Sequence, residues 1–264
     1  MAAALEIKES YRLDDLVRIV EILRAPNGCP WDREQNHHSM RKNFIEEVYE
    51  AVEAIDTDDT ALLREELGDV LLQIVFHAGM EQEVGSFSFD DVCDGICKKL
   101  IRRHPHVFGD VVANDSKEAF NSWEAVKREE KGHRNAASVI DSVSQALPAL
   151  MRADKIGARA AKAGFDHECF EDAFDHLKSE ICELQEAIAG NDAKAVEDEL
   201  GDVLFAVVNI ARHKELDPEH ALSLATDKFS RRFRKVEAMA AEREIDMKTT
   251  GMNVLDSLWE EAKK

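Results

Sequence analysis

The chain has 264 residues, with 54 acidic against 34 basic side chains, and a formal charge of −20. With 44% hydrophobic and 33% charged residues, its composition excludes a disordered, collagen-like or disulfide-scaffold protein. The charge argues against non-specific binding to DNA or RNA, and no apolar run approaches the roughly 18 residues of a membrane span.

At about 100 to 200 residues per domain, the length fits one or two domains. The first ten residues lack the basic and apolar regions of a secretory leader, so the expected compartment is the cytoplasm. Five cysteines, odd in number and without a Cys-x-x-Cys, agree with reduced thiols there. Apolar residues at spacings of three and four predict helices near 12–24, 40–56, 60–83, 90–100 and 116–131. The same pattern continues near 148–162, 168–189, 192–213, 219–241 and 255–263, and no sheet is expected. Ile45, Val48, Val52 and Ile55 make one such stripe, and Leu63, Leu67, Val70 and Ile74 make another. Pro26, Pro30, Pro105, Pro148 and Pro218 all fall between periodic segments or at the start of one. Cys93 and Cys97, one helical turn apart, are expected to be buried.

The chain repeats itself. Glu66-Leu67-Gly68-Asp69-Val70-Leu71 recurs 133 residues later as Glu199-Leu200-Gly201-Asp202-Val203-Leu204, and Glu47-x-x-Glu50 recurs at the same shift as Glu180-x-x-Glu183. Two features at one shift indicate a duplicated unit. The fold class expected is therefore all-α, with tandem helical-hairpin, four-helix-bundle units over residues 1–133 and 134–264.

The spacing of the acids dictates their geometry. The midpoint between Glu50 and Glu66 is Asp58, and the midpoint between Glu183 and Glu199 is Asn191, both among turn-forming residues. If each turn joins antiparallel helices, Glu50 faces Glu66 and Glu47 faces Asp69, with the inner pair about 12 Å from the turn. Residues three apart share a helix face, so four carboxylates converge in each unit. From Asn43 to Leu63 there are seven acids and no Lys or Arg, so cationic partners are missing. Four partnerless anions repel, and a hard divalent cation relieves this; all-oxygen ligands favour Mg²⁺, with Mn²⁺ as a substitute. A solvated acidic face is the plainer alternative. A di-iron bundle would need Glu-x-x-His, yet the second positions are Glu50, Asp69, Glu183 and Asp202. His77 and His213 are read as polar or capping residues. Gly68 and Gly201, each costing about 1 kcal/mol in mid-helix, are expected to permit close approach of another helix or a ligand.

These residues resemble the MazG family of nucleoside triphosphate pyrophosphohydrolases, whose hallmark is Glu-x-x-Glu followed by Glu-x-x-Asp on a helical hairpin. Further matching segments are Gly28-Cys29-Pro30-Trp31-Asp32, Arg102-Arg103-His104-Pro105-His106-Val107-Phe108, Leu147-Pro148-Ala149-Leu150-Met151-Arg152-Ala153 and Lys228-Phe229-Ser230-Arg231-Arg232-Phe233. The resemblance implies an all-α bundle, a homodimer, and Mg²⁺-dependent conversion of an NTP to an NMP and pyrophosphate. It implies a metal set of Glu180, Glu183, Glu199 and Asp202, repeated as Glu47, Glu50, Glu66 and Asp69. Lys228 and Arg232, one turn apart, match the family pattern as triphosphate ligands, with Lys194 and His176 as further candidates and Trp259 as a wall for the base. The basic residues that follow the second hairpin favour that unit as the principal catalyst. Two alternatives stay open: a Mg-NTP-binding regulator without turnover, and one catalytic unit beside a dimerisation scaffold.

Overall fold

A computed structural model describes residues 6–130 and 136–264. Among the described residues there are thirteen helices and no strand. The chain divides into two compact units, residues 1–131 and 132–264. The boundary expected after residue 133 lies outside the described residues.

In the first unit, α1 (Leu13–Arg24) leads through the short α2 (Pro30–Glu34) to a long hairpin of α3 (His37–Asp56) and α4 (Thr60–Glu83). Then come α5 (Phe89–Arg103), α6 (Pro105–Phe108) and α7 (Ser116–Glu130). Asn36 and Asp59 cap the two hairpin helices by accepting hydrogen bonds from first-turn N–H groups, His38 and Ser39 in one case, Ala61 and Leu62 in the other. The core gathers where α1, α3 and α5 meet α4, around Val20, Met40, Val75, Phe76, Met80 and Phe89. Arg24 fastens this end: its guanidinium donates to Glu83 and to the carbonyls of Asp32 and Gln35 while lying over Phe76.

In the second unit, α8 (Ala136–Asp141) and α9 (Ala149–Lys162) precede the equivalent hairpin of α10 (Phe170–Gly190) and α11 (Ala193–His213). It closes with α12 (Pro218–Glu242) and α13 (Met252–Ala262). Here α9 packs on α11 and α12, and α12 pairs with α13 around Val236, Ala240, Leu258 and Ala262. Gly157 sets the α9–α11 contact, since a Cβ there would lie 2.9 Å from Asn209 Oδ1 and 3.4 Å from Arg212 Nε. Arg212 in turn makes a two-pronged ion pair with Asp166, in the middle of the loop between α9 and α10.

Both hairpin turns pass through a non-glycine residue in the left-handed region, Asp58 at φ 55° and Asn191 at φ 53°. These are the two midpoints expected from the acid spacing, and Asp and Asn are the side chains that tolerate that region best. Three short helices, α2, α6 and α8, add to the ten expected ones.

One expectation is corrected. Cys97 is exposed, and only Cys93 packs against the core. A Cβ at Gly68 or Gly201 would meet nothing within 4 Å, so neither glycine makes room for another helix of its own unit. Of the polar and capping readings, His77 takes the polar one, its ring joining His37 across the hairpin.

Candidate functional site: two carboxylate hairpins

Each hairpin carries its acids on the inner faces of two antiparallel helices. In the first unit, one carboxylate oxygen from each of Glu47, Glu66 and Asp69 lies within 4.8 Å of the other two. In the second, Glu180, Glu199 and Asp202 do the same. Glu66 is 8% exposed, an unusual burial for a carboxylate without a cation beside it.

The fourth acid of each set, Glu50 or Glu183, is exposed and stands outside its triple. Its field still reaches the others. Burial pushes the Glu66 carboxyl above the usual range, and Glu50 is the next cause, ahead of Asp69. Glu199 is raised by burial, then by Glu183, Asp202 and Glu180, and Glu47 is raised by burial, then by Asp69, Glu50 and Glu66. In each case the strongest repelling neighbour is the residue expected to face it across the hairpin. Among the described residues no Lys or Arg forms an ion pair with any of these eight acids. A compact all-oxygen donor set, partly desolvated and self-repelling, fits a hard divalent cation such as Mg²⁺ or Mn²⁺.

The remaining candidates are placed as follows. His176 Nε2 lies 3.2 Å from Glu180 Oε1, with the His167 ring 5.1 Å from its own. Lys194 is exposed in the first turn of α11, where its backbone N–H donates to the Asp192 cap. Lys228 and Arg232 lie one turn apart on α12, and among the described residues neither is ion-paired to the carboxylates of α10 and α11. Trp259 is half-buried on α13, packed against the α12–α13 core with its ring 5.0 Å from Phe229.

The first unit treats its corresponding groups differently. Arg103 donates to Glu130 and its guanidinium lies 5.6 Å from the Trp123 ring, while Lys127 Nζ stands 4.4 Å from the same ring. Glu130 is held below the usual carboxylate range by Arg103. The sequence signal for this lock was the Arg102-Arg103 pair and Trp123, but their partner Glu130 lies 27 residues along and has no periodic mark.

Two stretches of the chain, residues 35–108 and 170–237, match the MazG nucleotide pyrophosphohydrolase domain, and each begins within two residues of a hairpin. The chain belongs to the MazG family. The first match takes α3 to α6, and the second takes α10, α11 and most of α12, including Lys228 and Arg232. This MazG chain is 43% identical over 258 residues to the nucleoside triphosphate pyrophosphohydrolase of Escherichia coli (strain K12), covering 96% of this chain and 97% of that one. It is 43% identical over 250 residues to the nucleoside triphosphate pyrophosphohydrolase/pyrophosphatase MazG of Thermotoga maritima, with 95% of each covered. The uncharacterized protein YabN of Bacillus subtilis (strain 168) is 44% identical over 250 residues, which are 93% of this chain and 50% of YabN. The aligned stretch thus takes up half of that longer protein.

Proposed function

We propose that the protein hydrolyses nucleoside triphosphates to nucleoside monophosphate and pyrophosphate at a Mg²⁺ site in the second unit. The observation that carries this reading is the carboxylate triple on α10 and α11, within a MazG domain of a chain 43% identical to nucleoside triphosphate pyrophosphohydrolases. Glu180, Glu199 and Asp202, with Glu183 beside them, would hold the metal, and Mn²⁺ would substitute. When bound, Mg²⁺ neutralises phosphate charge and lowers the pKa of a coordinated water. Glu183, exposed and outside the triple, is the group assigned to take the proton from the attacking water. Lys228 and Arg232 hold the triphosphate, with Lys194 and His176 as further phosphate contacts, and Trp259 walls the base.

The second unit is favoured over the first because Arg103, Lys127 and Trp123 are engaged with one another and with Glu130. This supports a division of labour in which Glu47, Glu50, Glu66 and Asp69 bind metal in a unit that serves mainly as scaffold. A homodimer is the proposed assembly. Ile45, Val52, Ile55 and Ile188 are each more than 40% exposed on the hairpins, and stripes of that size call for a partner surface. No helix among the described residues is long and apolar enough to cross a membrane, and the five cysteines are free, which supports a cytoplasmic site of action. The net charge of −20 supports nucleotides rather than nucleic acid as the partner.

Chromatographic product analysis on a panel of NTPs and dNTPs tests the reading. NMP and pyrophosphate, formed only with Mg²⁺ or Mn²⁺, are expected. NDP and phosphate, or saturable binding without product, would overturn it.

A further inference from the structure

The open end of the first hairpin carries a cluster that takes no part in the carboxylate site. His37, the first residue of α3, lies as far from Asp58 as Gly79 does, so it faces the gap between His77 and Glu81, one turn apart on α4. His37 Nδ1 is 2.7 Å from His77 Nδ1, and His37 Nε2 is 2.7 Å from Glu81 Oε1. The two rings are parallel within 6° with centroids 5.0 Å apart. Together with the short nitrogen–nitrogen distance, this means they meet edge to edge, nitrogen facing nitrogen.

The tautomers follow from the partners. The Glu81 carboxylate only accepts, so the His37 Nε2–H donates to it, and the neutral ring keeps its lone pair on Nδ1. Burial, and then the proximity of His37, push the His77 imidazole below its usual range, which favours its neutral form. Its Nε2 is buried without a hydrogen-bond partner. Two facing Nδ1 atoms therefore share one hydrogen.

The fold does not require imidazoles here. The duplicate unit, 133 residues on, has Phe170, Ile210 and Lys214 at these positions, and Lys214 Nζ sits 3.8 Å from the Phe170 ring centroid. There the same helix ends are joined by a cation–π contact in place of the imidazole pair.

We propose that His37 and His77 form a binding site for a divalent transition ion of the Zn²⁺, Ni²⁺ or Cu²⁺ type, each giving Nδ1, with Glu81 as the outer carboxylate on His37. Two imidazole nitrogens on one such ion stand about 3.0 to 3.4 Å apart with each lone pair aimed at the ion, so the rings must part by a few tenths of an ångström and each turn off the nitrogen–nitrogen line. The shared hydrogen moves to His77 Nε2, and no net proton is lost. His37 is 44% exposed, which leaves solvent free to complete the coordination. A histidine-borne carboxylate of this kind fixes ring orientation and raises ligand basicity. Imidazole donors favour these ions and all-oxygen donors suit Mg²⁺, so excess Mg²⁺ on the carboxylates leaves the imidazole pair as the preferred site for Zn²⁺.

The test uses the full chain, freed of metal with chelator and held in excess Mg²⁺ to occupy the carboxylates. Zn²⁺ is titrated by calorimetry and Cu²⁺ by electron paramagnetic resonance. His37→Phe and His77→Ile borrow the residues of the duplicate unit, so the folded hairpin is retained and checked by circular dichroism. Each variant is expected to lose one Zn²⁺ per chain and the nitrogen hyperfine signal of paired imidazoles. Glu81→Gln is expected to weaken that Zn²⁺ by about tenfold. Equal Zn²⁺ stoichiometry in wild type and both variants, or a wild-type Cu²⁺ spectrum without nitrogen coupling, would overturn the site and leave a proton-sharing pair.

Discussion

Glu183 and Asp166 show how single side chains of similar chemistry do opposite work in the second unit. Glu183 is exposed yet raises Glu199, so its charge acts on the cluster rather than on the fold. Replacing it by Gln is expected to lower kcat by roughly 100-fold or more while leaving the fold intact, as read by steady-state kinetics and circular dichroism. Asp166 acts on the fold. Arg212 holds its carboxyl below the ordinary value, so its contribution to stability is present above an aspartate pKa of about 3.9 and is lost as pH falls through the lowered native value. Thermal unfolding of wild type and Asp166→Asn should therefore differ most near neutral pH and converge in acid. A constant gap down to pH 2 would show that the ion pair contributes nothing. The carboxylate set is legible in the sequence because an antiparallel hairpin has one geometric unknown, its turn, and Asp58 and Asn191 mark it. The same rule would have paired His37 with His77 and Glu81, had it been applied to histidines. Asp166–Arg212 and Arg103–Glu130 are not legible, because long-range ion pairs obey no helical period.

At the scale of elements, the long helices follow from three-and-four spacing, and the short ones escape it. Helices α2 and α6, of 5 and 4 residues, contain little more than one turn, too little for a period to show. Periodicity finds a helix face without saying what covers it. The Ile45–Ile55 stripe lies on α3 as expected, yet it is exposed, while small Ala51 and Ala54 face the interior. The glycines separate two causes that sequence alone confounds. Gly157→Ala places a methyl against Asn209 and should destabilise the second unit by about 1 to 3 kcal/mol in denaturant unfolding. Gly201→Ala meets open space and should stabilise the metal-free protein by about 1 kcal/mol through helix propensity. If a ligand or second copy passes close to that face, Gly201→Ala will also lose activity; full activity would show the open face is unused.

For the whole molecule, duplication has given two hairpins with the same acids and different surroundings. The first unit ties Arg103 and Trp123 to Glu130 and Lys127, whereas among the described residues Lys228 and Arg232 of the second make no ion pair with its acids. Light scattering should return a mass of twice 29.7 kDa, since neither hairpin covers its own apolar stripe. A monomer at micromolar concentration would remove the need for a partner surface. The most direct measurement is Mg²⁺-dependent turnover of an NTP to NMP and pyrophosphate by wild type, Glu183→Ala and Glu50→Ala, purified and assayed side by side. Loss of turnover in Glu183→Ala with most of it retained in Glu50→Ala is the expected result. Retained turnover in Glu183→Ala with loss in Glu50→Ala would contradict the placement of the chemistry in the second hairpin.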